Sequence, residues 1–219
     1  MTDSNDRGPV SLDKVTLTKA APSVSLAKAG AAGGVLRVNL NWNARPPSAT
    51  KSGGFLNRLA ATPAPAIDLD LGCLYERTDG AKGAVQALGN ALRGQHDTAN
   101  PVAWLDGDDR SGTNAAGENL FVDLGQVAAI RRILVYAFIY EGVANWAAAD
   151  GVVTLFPPSG PQVEVRLDEA GAGAGMCAIA MLQNVGGELV VRREVRYVPG
   201  HAEVDQAYGW GLTWGRGTK

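Results

Sequence analysis

Short runs in which apolar and polar residues alternate, or in which β-branched residues cluster, recur along the chain. Each run is bounded by Gly, Pro, Asn or Asp, the residues that favour turns. About ten such runs separated by turn signals predict an all-β protein, either a β-sandwich or a β-barrel. The predicted strands are Val10–Thr18, Val24–Leu26, Val35–Trp42, Ile67–Tyr75, Leu120–Leu124, Ile130–Tyr140, Val152–Phe156, Val163–Leu167, Cys177–Leu182 and Glu188–Tyr197.

Helical periodicity is rare. Residues Ala81–Leu92 are predicted to be helical, although Gly83 and Gly89 oppose a helix and a strand over Val85–Leu88 is the alternative. Near the end of the chain, Ala202–Tyr208 is predicted to form one or two helical turns.

Two segments are predicted to be long loops. Ala44–Ala66 consists mostly of Ala, Pro, Ser, Thr and Gly, and Glu169–Gly175 alternates Ala with Gly. Since neither loop leads into a region of different composition, we predict one domain over residues 10–219, preceded by disordered residues 1–9.

Charge and apolar content exclude several classes. The 219 residues carry 20 Lys and Arg against 22 Asp and Glu, a net charge of −2, so the basic footprint of a nucleic-acid-binding protein is absent. The longest apolar run, Ile133–Tyr140, is far shorter than the ~20 residues that span a bilayer. No signal peptide is recognisable, and Cys73 and Cys177 lie in apolar strand-like runs typical of buried thiols. These features predict a soluble cytoplasmic protein.

Acidic residues concentrate in two places. Between Asp106 and Asp123, five carboxylates and one arginine give a local charge of −4 in a stretch rich in Gly, Ser and Asn. Upstream, Asp68 and Asp70 fall on one face of a predicted strand, although Asp is disfavoured in strands. If the two segments meet, their oxygens suit a hard cation, for which calcium fits best and magnesium remains open. The spacing is not that of an EF-hand, because the twelfth residue counted from Asp106 is Gly117.

The acidic segments also suggest two other functions. A carboxylate-based hydrolase needs an acid in an apolar pocket, whereas these acids lie among small polar residues, and no other catalytic motif is present. A calcium-dependent carbohydrate-binding or membrane-surface-binding module is the second alternative, with Trp104 near Asp106 as a stacking residue. His96 and His201 are predicted to be ordinary surface histidines.

Several motifs follow a V-S-L-x-K opening in order along the chain. They are Asn39–Trp42, Asp68–Asp70, Gly107–Gly112, Gly117–Asn119, Tyr140–Trp146 and Pro199–Trp214. Together these motifs resemble the TerD-domain family, the tellurium-resistance and general stress proteins of bacteria. The TerA-like branch of that family is the most similar, and the resemblance runs from about residue 10 to the end of the chain.

The resemblance implies a two-sheet β-sandwich with few short helices and long loops, and it implies bound Ca²⁺. By position, Asp68 and Asp70 match the family's Asp-Leu-Asp strand and Asp108 matches its loop aspartate. Asp109 stands where Asn is usual, and Ser111 replaces Thr. The family's closing acidic triplet is reduced to Gly117, Glu118 and Asn119, whereas Asp106 is an additional carboxylate. We therefore expect one calcium ion, or two of unequal affinity. The expected ligand set is Asp68, Asp70, Asp106, Asp108, Asp109, Ser111, Glu118 and Asn119.

The functional expectation is a calcium-binding stress-response protein associated with tellurite resistance. It is expected to act without catalysis, as a cation-ordered binding or scaffold module. Its expected partners are other stress-response proteins or a membrane surface, and no nucleic acid.

Overall fold

A computed structural model of the chain describes residues 14–26, 33–44, 66–107, 117–142, 146–171 and 173–215. Within these ranges the strands are β1 (Lys14–Thr16), β2 (Ser23–Ser25), β3 (Val35–Asn41), β4 (Asp68–Arg77), β5 (Lys82–Val85), β6 (Ala103–Leu105), β7 (Glu118–Asp123), β8 (Ile130–Glu141), β9 (Gly151–Phe156), β10 (Gln162–Leu167), β11 (Met176–Val185) and β12 (Glu188–Val198). The α-helices are α1 (Trp146–Ala149) and α2 (His201–Tyr208), and Leu88–Asn90 and Leu124–Ala129 are 3₁₀ turns.

The strands form two six-stranded sheets. The first sheet has the order β1-β10-β9-β3-β7-β6 and the second has the order β2-β12-β11-β8-β4-β5. All pairings between these strands are antiparallel except that of β1 with β10. The prediction of an all-β sandwich with few short helices is therefore confirmed.

The main core lies between the sheets. Alternate residues of β3 are fully buried in it, namely Leu36, Val38 and Leu40. From the second sheet, Leu69 and Leu71 of β4 are fully buried in the same cluster. This alternation is the period of two that a strand with one face on the core requires.

A second apolar cluster covers the outer face of the second sheet. There, Val204 of α2 and Trp210 pack over β8 and β11. β8 is thus covered on both faces, as its unbroken apolar run predicts.

Every predicted strand overlaps a strand of the structure, although the residues before Lys14 lie outside the described part. The predicted helix near the end is confirmed as α2, and Cys73 and Cys177 are buried free thiols. No helix in the described ranges is long and apolar enough to cross a lipid bilayer.

The predicted helix over Ala81–Leu92 is wrong. Its first half is the edge strand β5, which pairs with β4, and a 3₁₀ turn follows it. Gly83 is the physical reason, because a Cβ there would lie 2.3 Å from the Tyr75 hydroxyl, so the edge strand packs closely on that ring. Most of the predicted loop Ala44–Ala66 and all of residues 1–9 lie outside the described residues.

Candidate metal centre

Glu118 links the two sheets at one end of the sandwich. It is the first residue of β7 in the first sheet, and its side chain reaches β4 in the second sheet. There Glu118 Oε2 accepts a hydrogen bond from the Leu71 amide at 2.6 Å, and Glu118 is only 4% exposed. That amide belongs to the peptide bond that joins Asp70 to Leu71, so a carboxylate of one sheet meets the Asp-Leu-Asp strand of the other.

Gly117 sets the entry into β7. Its φ is +66°, in the left-handed region, and a Cβ there would lie 2.1 Å from the Leu40 carbonyl oxygen. Only glycine fits such a close approach of two backbones without strain. Glu118 then pairs with Leu40 across the sheet, which fixes where its side chain begins.

Asp70 is fully buried on β4, whereas Asp68 at the start of that strand is half-buried. Leu69 and Leu71 fill the core between the sheets, and Asp70 takes the other face of the strand, as the period of two predicts. The Asp70 carboxylate also affects the pKa of Tyr136. Burial raises that pKa well above its ordinary value, and the neighbouring Cys73 thiol and Asp70 carboxylate raise it further.

Asp106 and Asn119 tie together the two ends of the acidic segment. Asn119 Nδ2 donates to Asp106 Oδ2 at 3.0 Å, and the Asp106 amide donates to the Asn119 carbonyl at 3.3 Å. Asn119 Oδ1 in turn accepts from Arg37 Nη1 at 3.1 Å and from Asn39 Nδ2 at 3.0 Å. The chain therefore leaves the sheet after Asp106 and returns to it at the same place.

The predicted ligands divide into two groups. Asp68, Asp70, Asp106, Glu118 and Asn119 are described by the structure, whereas Asp108, Asp109 and Ser111 lie outside the described residues. Within the described ranges, no group of three or more His, Cys, Asp or Glu side chains is close enough to hold a metal ion. The contacts bring Glu118 to the peptide group beside Asp70, and they bring Asn119 to Asp106.

Arg37 and Asn39 are not among the ligands predicted from the sequence, although both donate hydrogen bonds to Asn119. Asn39 belongs to one of the motifs that carry the family resemblance, which is the signal that marks it. Arg37 has no such signal, because its role depends on the pairing of β3 with β7.

Three expectations about the surroundings need correction or refinement. Asp70 and Glu118 are buried, so the wet environment that the neighbouring Gly, Ser and Asn indicate does not apply to them. His96 is exposed, as expected, but His201 is not an ordinary surface residue, since its ring packs among aromatic rings. Trp104 stacks on Phe121 across β6 and β7, with centroids 5.5 Å apart and planes 17° apart.

The comparisons with known proteins agree with this architecture. No protein-family model matches the chain. A tellurium resistance protein TerA from Alcaligenes sp. is 46% identical over 210 residues, which are 96% of this chain and 60% of that protein. The chain thus spans about 60% of the length of the curated relative that it matches.

Two solved structures share the fold. A protein of unknown function, SAV2460, superimposes with a TM-score of 0.55 and 13% identity, covering 80% of this chain and 95% of that one. A homologue of the telluride resistance protein TerD from Streptomyces coelicolor A3(2) superimposes with a TM-score of 0.52 and 17% identity, covering 78% of this chain and 94% of that one. The fold is therefore that of a TerD homologue, and the predicted resemblance to the TerA-like branch is confirmed over nearly the whole length of this chain.

Proposed function

We propose that this chain is a cytoplasmic calcium-binding module that contributes to tellurite resistance. Its calcium ligands are Asp68, Asp70 and Glu118 at the junction of the sheets, with Asp106 and Asn119 beside them. Asp108, Asp109 and Ser111, from the segment between Gly107 and Gly117, complete the set for one ion or for two of unequal affinity. The proposal rests on one observation, the contact of Glu118 with the peptide group next to Asp70.

That contact brings the Glu118 carboxylate close to the backbone of Asp70. Glu118 Oε2 is 2.6 Å from the Leu71 nitrogen, and two backbone bonds separate that nitrogen from the Asp70 Cα. The Glu118 oxygen is therefore at most about 5.5 Å from the Asp70 Cα, from standard bond lengths. Two oxygens bound to the same calcium at about 2.5 Å each are at most about 5 Å apart, so a shared ion requires the Asp70 carboxylate to turn toward Glu118 at this end of β4.

The donor chemistry favours calcium. All the proposed ligands offer oxygen, from carboxylates, an amide and a hydroxyl, and none offers sulfur or an imidazole nitrogen. Calcium accepts six to eight such oxygens in flexible geometry, whereas magnesium keeps more of its waters. Buried carboxylates also carry a desolvation cost that a bound divalent cation offsets.

The proposed action is conformational. A cation shared by β4 and β7 joins the two sheets and reduces repulsion between Asp70 and Glu118. The surface around the bound cation then recruits other stress-response proteins or a membrane surface. A role in binding is better supported than carboxylate-based hydrolysis, because the burial of Asp70 and Glu118 closes both carboxylates to a substrate.

Thermal unfolding in calcium and in chelator tests the proposal. At a calcium concentration 100 times Kd, binding stabilises the folded state by about 2.7 kcal/mol. For a chain of this size, each kcal/mol raises Tm by about 2–4 °C, so the expected gain is roughly 5–11 °C. The variants Asp70→Asn and Glu118→Gln are expected to lose most of this gain, whereas Glu203→Gln, which changes an exposed acid on α2, keeps it.

Equal Tm values in millimolar calcium and in chelator contradict the proposal, as does an equal gain in all three variants. The contribution to resistance is tested separately, by expressing the chain in a tellurite-sensitive bacterium. Higher tolerance that Asp70→Asn abolishes and Glu203→Gln preserves supports it; no change in tolerance speaks against it.

A further inference from the structure

A second site lies on the outer face of the second sheet, away from the proposed calcium ligands. It is an open cavity of about 460 Å³. Strand β5 and the 3₁₀ turn that follows it form one wall, and residues 211–215, called here the C-terminal segment, form the other. Its volume is in the range of small-molecule sites, about 300–1,000 Å³.

The wall formed by the C-terminal segment is fixed by Asp205. This residue of α2 is 6% exposed, and its carboxylate accepts hydrogen bonds from the Gly211 amide at 2.7 Å and the Leu212 amide at 2.8 Å. The same carboxylate accepts from Trp214 Nε1 at 3.1 Å. The Trp214 indole is therefore held in place before any ligand arrives, which lowers the ordering cost of binding.

The lining combines apolar and neutral polar side chains with one cationic group. Leu88, Leu212 and Trp214 supply apolar surface, and none of the residues that line the cavity in the described part of the chain carries a carboxylate. Lys82 lies at the wall, where its Nζ donates to the Trp210 carbonyl at 2.7 Å. An ammonium group has three N–H donors, so two remain for other acceptors.

The charge of Lys82 is not balanced by the acid opposite it in the sheet. Glu76, its partner in the β4–β5 register, is bound to Arg132 at 2.6 Å and to Arg131 at 3.1 Å. With Asp205 included, these three cations and two carboxylates leave one net positive charge beside the cavity. Such a field attracts a negatively charged group.

His201 adds a buried polar atom to the wall of the cavity. Its ring lines the cavity and packs against Phe138 and Trp214, with centroids 5.0 Å away in each case. Its Nε2 is buried and has no hydrogen-bond partner among the described residues, which costs free energy unless a ligand or water supplies one. Burial lowers the pKa of His201, so the ring is neutral at pH 7 and can donate or accept.

We propose that this cavity binds a small organic anion with a flat apolar body, of the aromatic carboxylate or sulfonate class. The flat body lies against Trp214 and Leu88, and the anionic group binds the ammonium of Lys82. The inference rests on the cavity alone and is independent of calcium binding.

The probe is 1-anilinonaphthalene-8-sulfonate, an aromatic sulfonate that fluoresces when it binds an apolar site, titrated into the full chain. The probe is expected to bind saturably while the near-ultraviolet circular dichroism of the chain remains that of the native state. Lys82→Gln is expected to weaken it about tenfold or more, because a charge-assisted hydrogen bond is lost. Lys82→Arg keeps the cation and is expected to bind within about threefold of the original chain. Lys19→Gln removes one charge from an exposed lysine outside the cavity and is expected to change nothing.

A second measurement locates the probe. The chain has five tryptophans, so its indole N–H region in a ¹⁵N correlation spectrum contains five signals, and Trp214→Phe identifies one of them. The probe is expected to shift the Trp214 signal and to leave that of Trp146, which packs in the main core, unchanged. No binding at millimolar probe, equal weakening by Lys82→Gln and Lys19→Gln, or an unshifted Trp214 signal overturns the proposal.

Discussion

The contact between Glu118 and Leu71 makes a quantitative prediction about stability without calcium. Glu118→Ala removes the acceptor of a buried amide, and a hydrogen bond to a charged group contributes about 1.5–3 kcal/mol. The variant also removes about one buried methylene, about 0.8 kcal/mol. The expected loss in the free energy of unfolding is therefore about 2–4 kcal/mol. Glu118→Gln keeps an acceptor oxygen of the same reach and is expected to lose only about 1 kcal/mol.

Urea unfolding in chelator measures both losses. With a slope of about 2 kcal/mol/M, the midpoint of Glu118→Ala is expected to fall by roughly 1–2 M and that of Glu118→Gln by about 0.5 M. Glu203→Gln, on the exposed face of α2, is the control and should match the original chain. An unchanged midpoint for Glu118→Ala would show that the stability of the sandwich does not depend on this bond.

Three further predictions concern other parts of the molecule. Asp205→Ala removes the acceptor of two backbone amides and of the Trp214 indole, so the free energy of unfolding should fall by about 3 kcal/mol and limited proteolysis should cleave the C-terminal segment faster than in the original chain. The Lys14 ammonium, 2.6 Å from Glu164, holds the pKa of that carboxyl below its ordinary value. Lys14→Met should therefore lower stability by about 1 kcal/mol at neutral pH, and urea titrations should show the difference closing as the pH falls below about 4.5. Burial raises the pKa of Cys73 to about 12, so a thiol reagent at pH 8 should label neither cysteine until urea unfolds the chain.

Strands with strong local signals can be predicted from the sequence, whereas the edge strand β5 cannot. The unbroken apolar run of β8 indicates a strand covered on both faces, and the sheets and α2 provide that cover. The residues of β5 are Lys, Gly, Ala and Val, of which only Val favours a strand, so its local sequence does not identify it as one. Its pairing with β4 and the packing of Gly83 on Tyr75 decide its structure, and both are tertiary.

The candidate site shows the same division. Its acidic residues can be named from charge pattern and from family motifs, because carboxylates in a strand and in a Gly-rich segment are visible in the sequence. The particular contacts cannot be predicted from the sequence, since Glu118 meets Leu71 only through the packing of two sheets. The burial of Asp70 and Glu118 cannot be predicted either, because the small polar residues next to them in the sequence do not indicate which distant residues pack over them.

A crystal structure grown in calcium, with anomalous diffraction recorded, is the decisive test of calcium binding between β4 and β7. We expect an anomalous peak there, with oxygens of Asp70 and Glu118 among its ligands at about 2.3–2.6 Å. A well-ordered structure in which these two carboxylates bind only protein or water, and no peak lies near them, would contradict it.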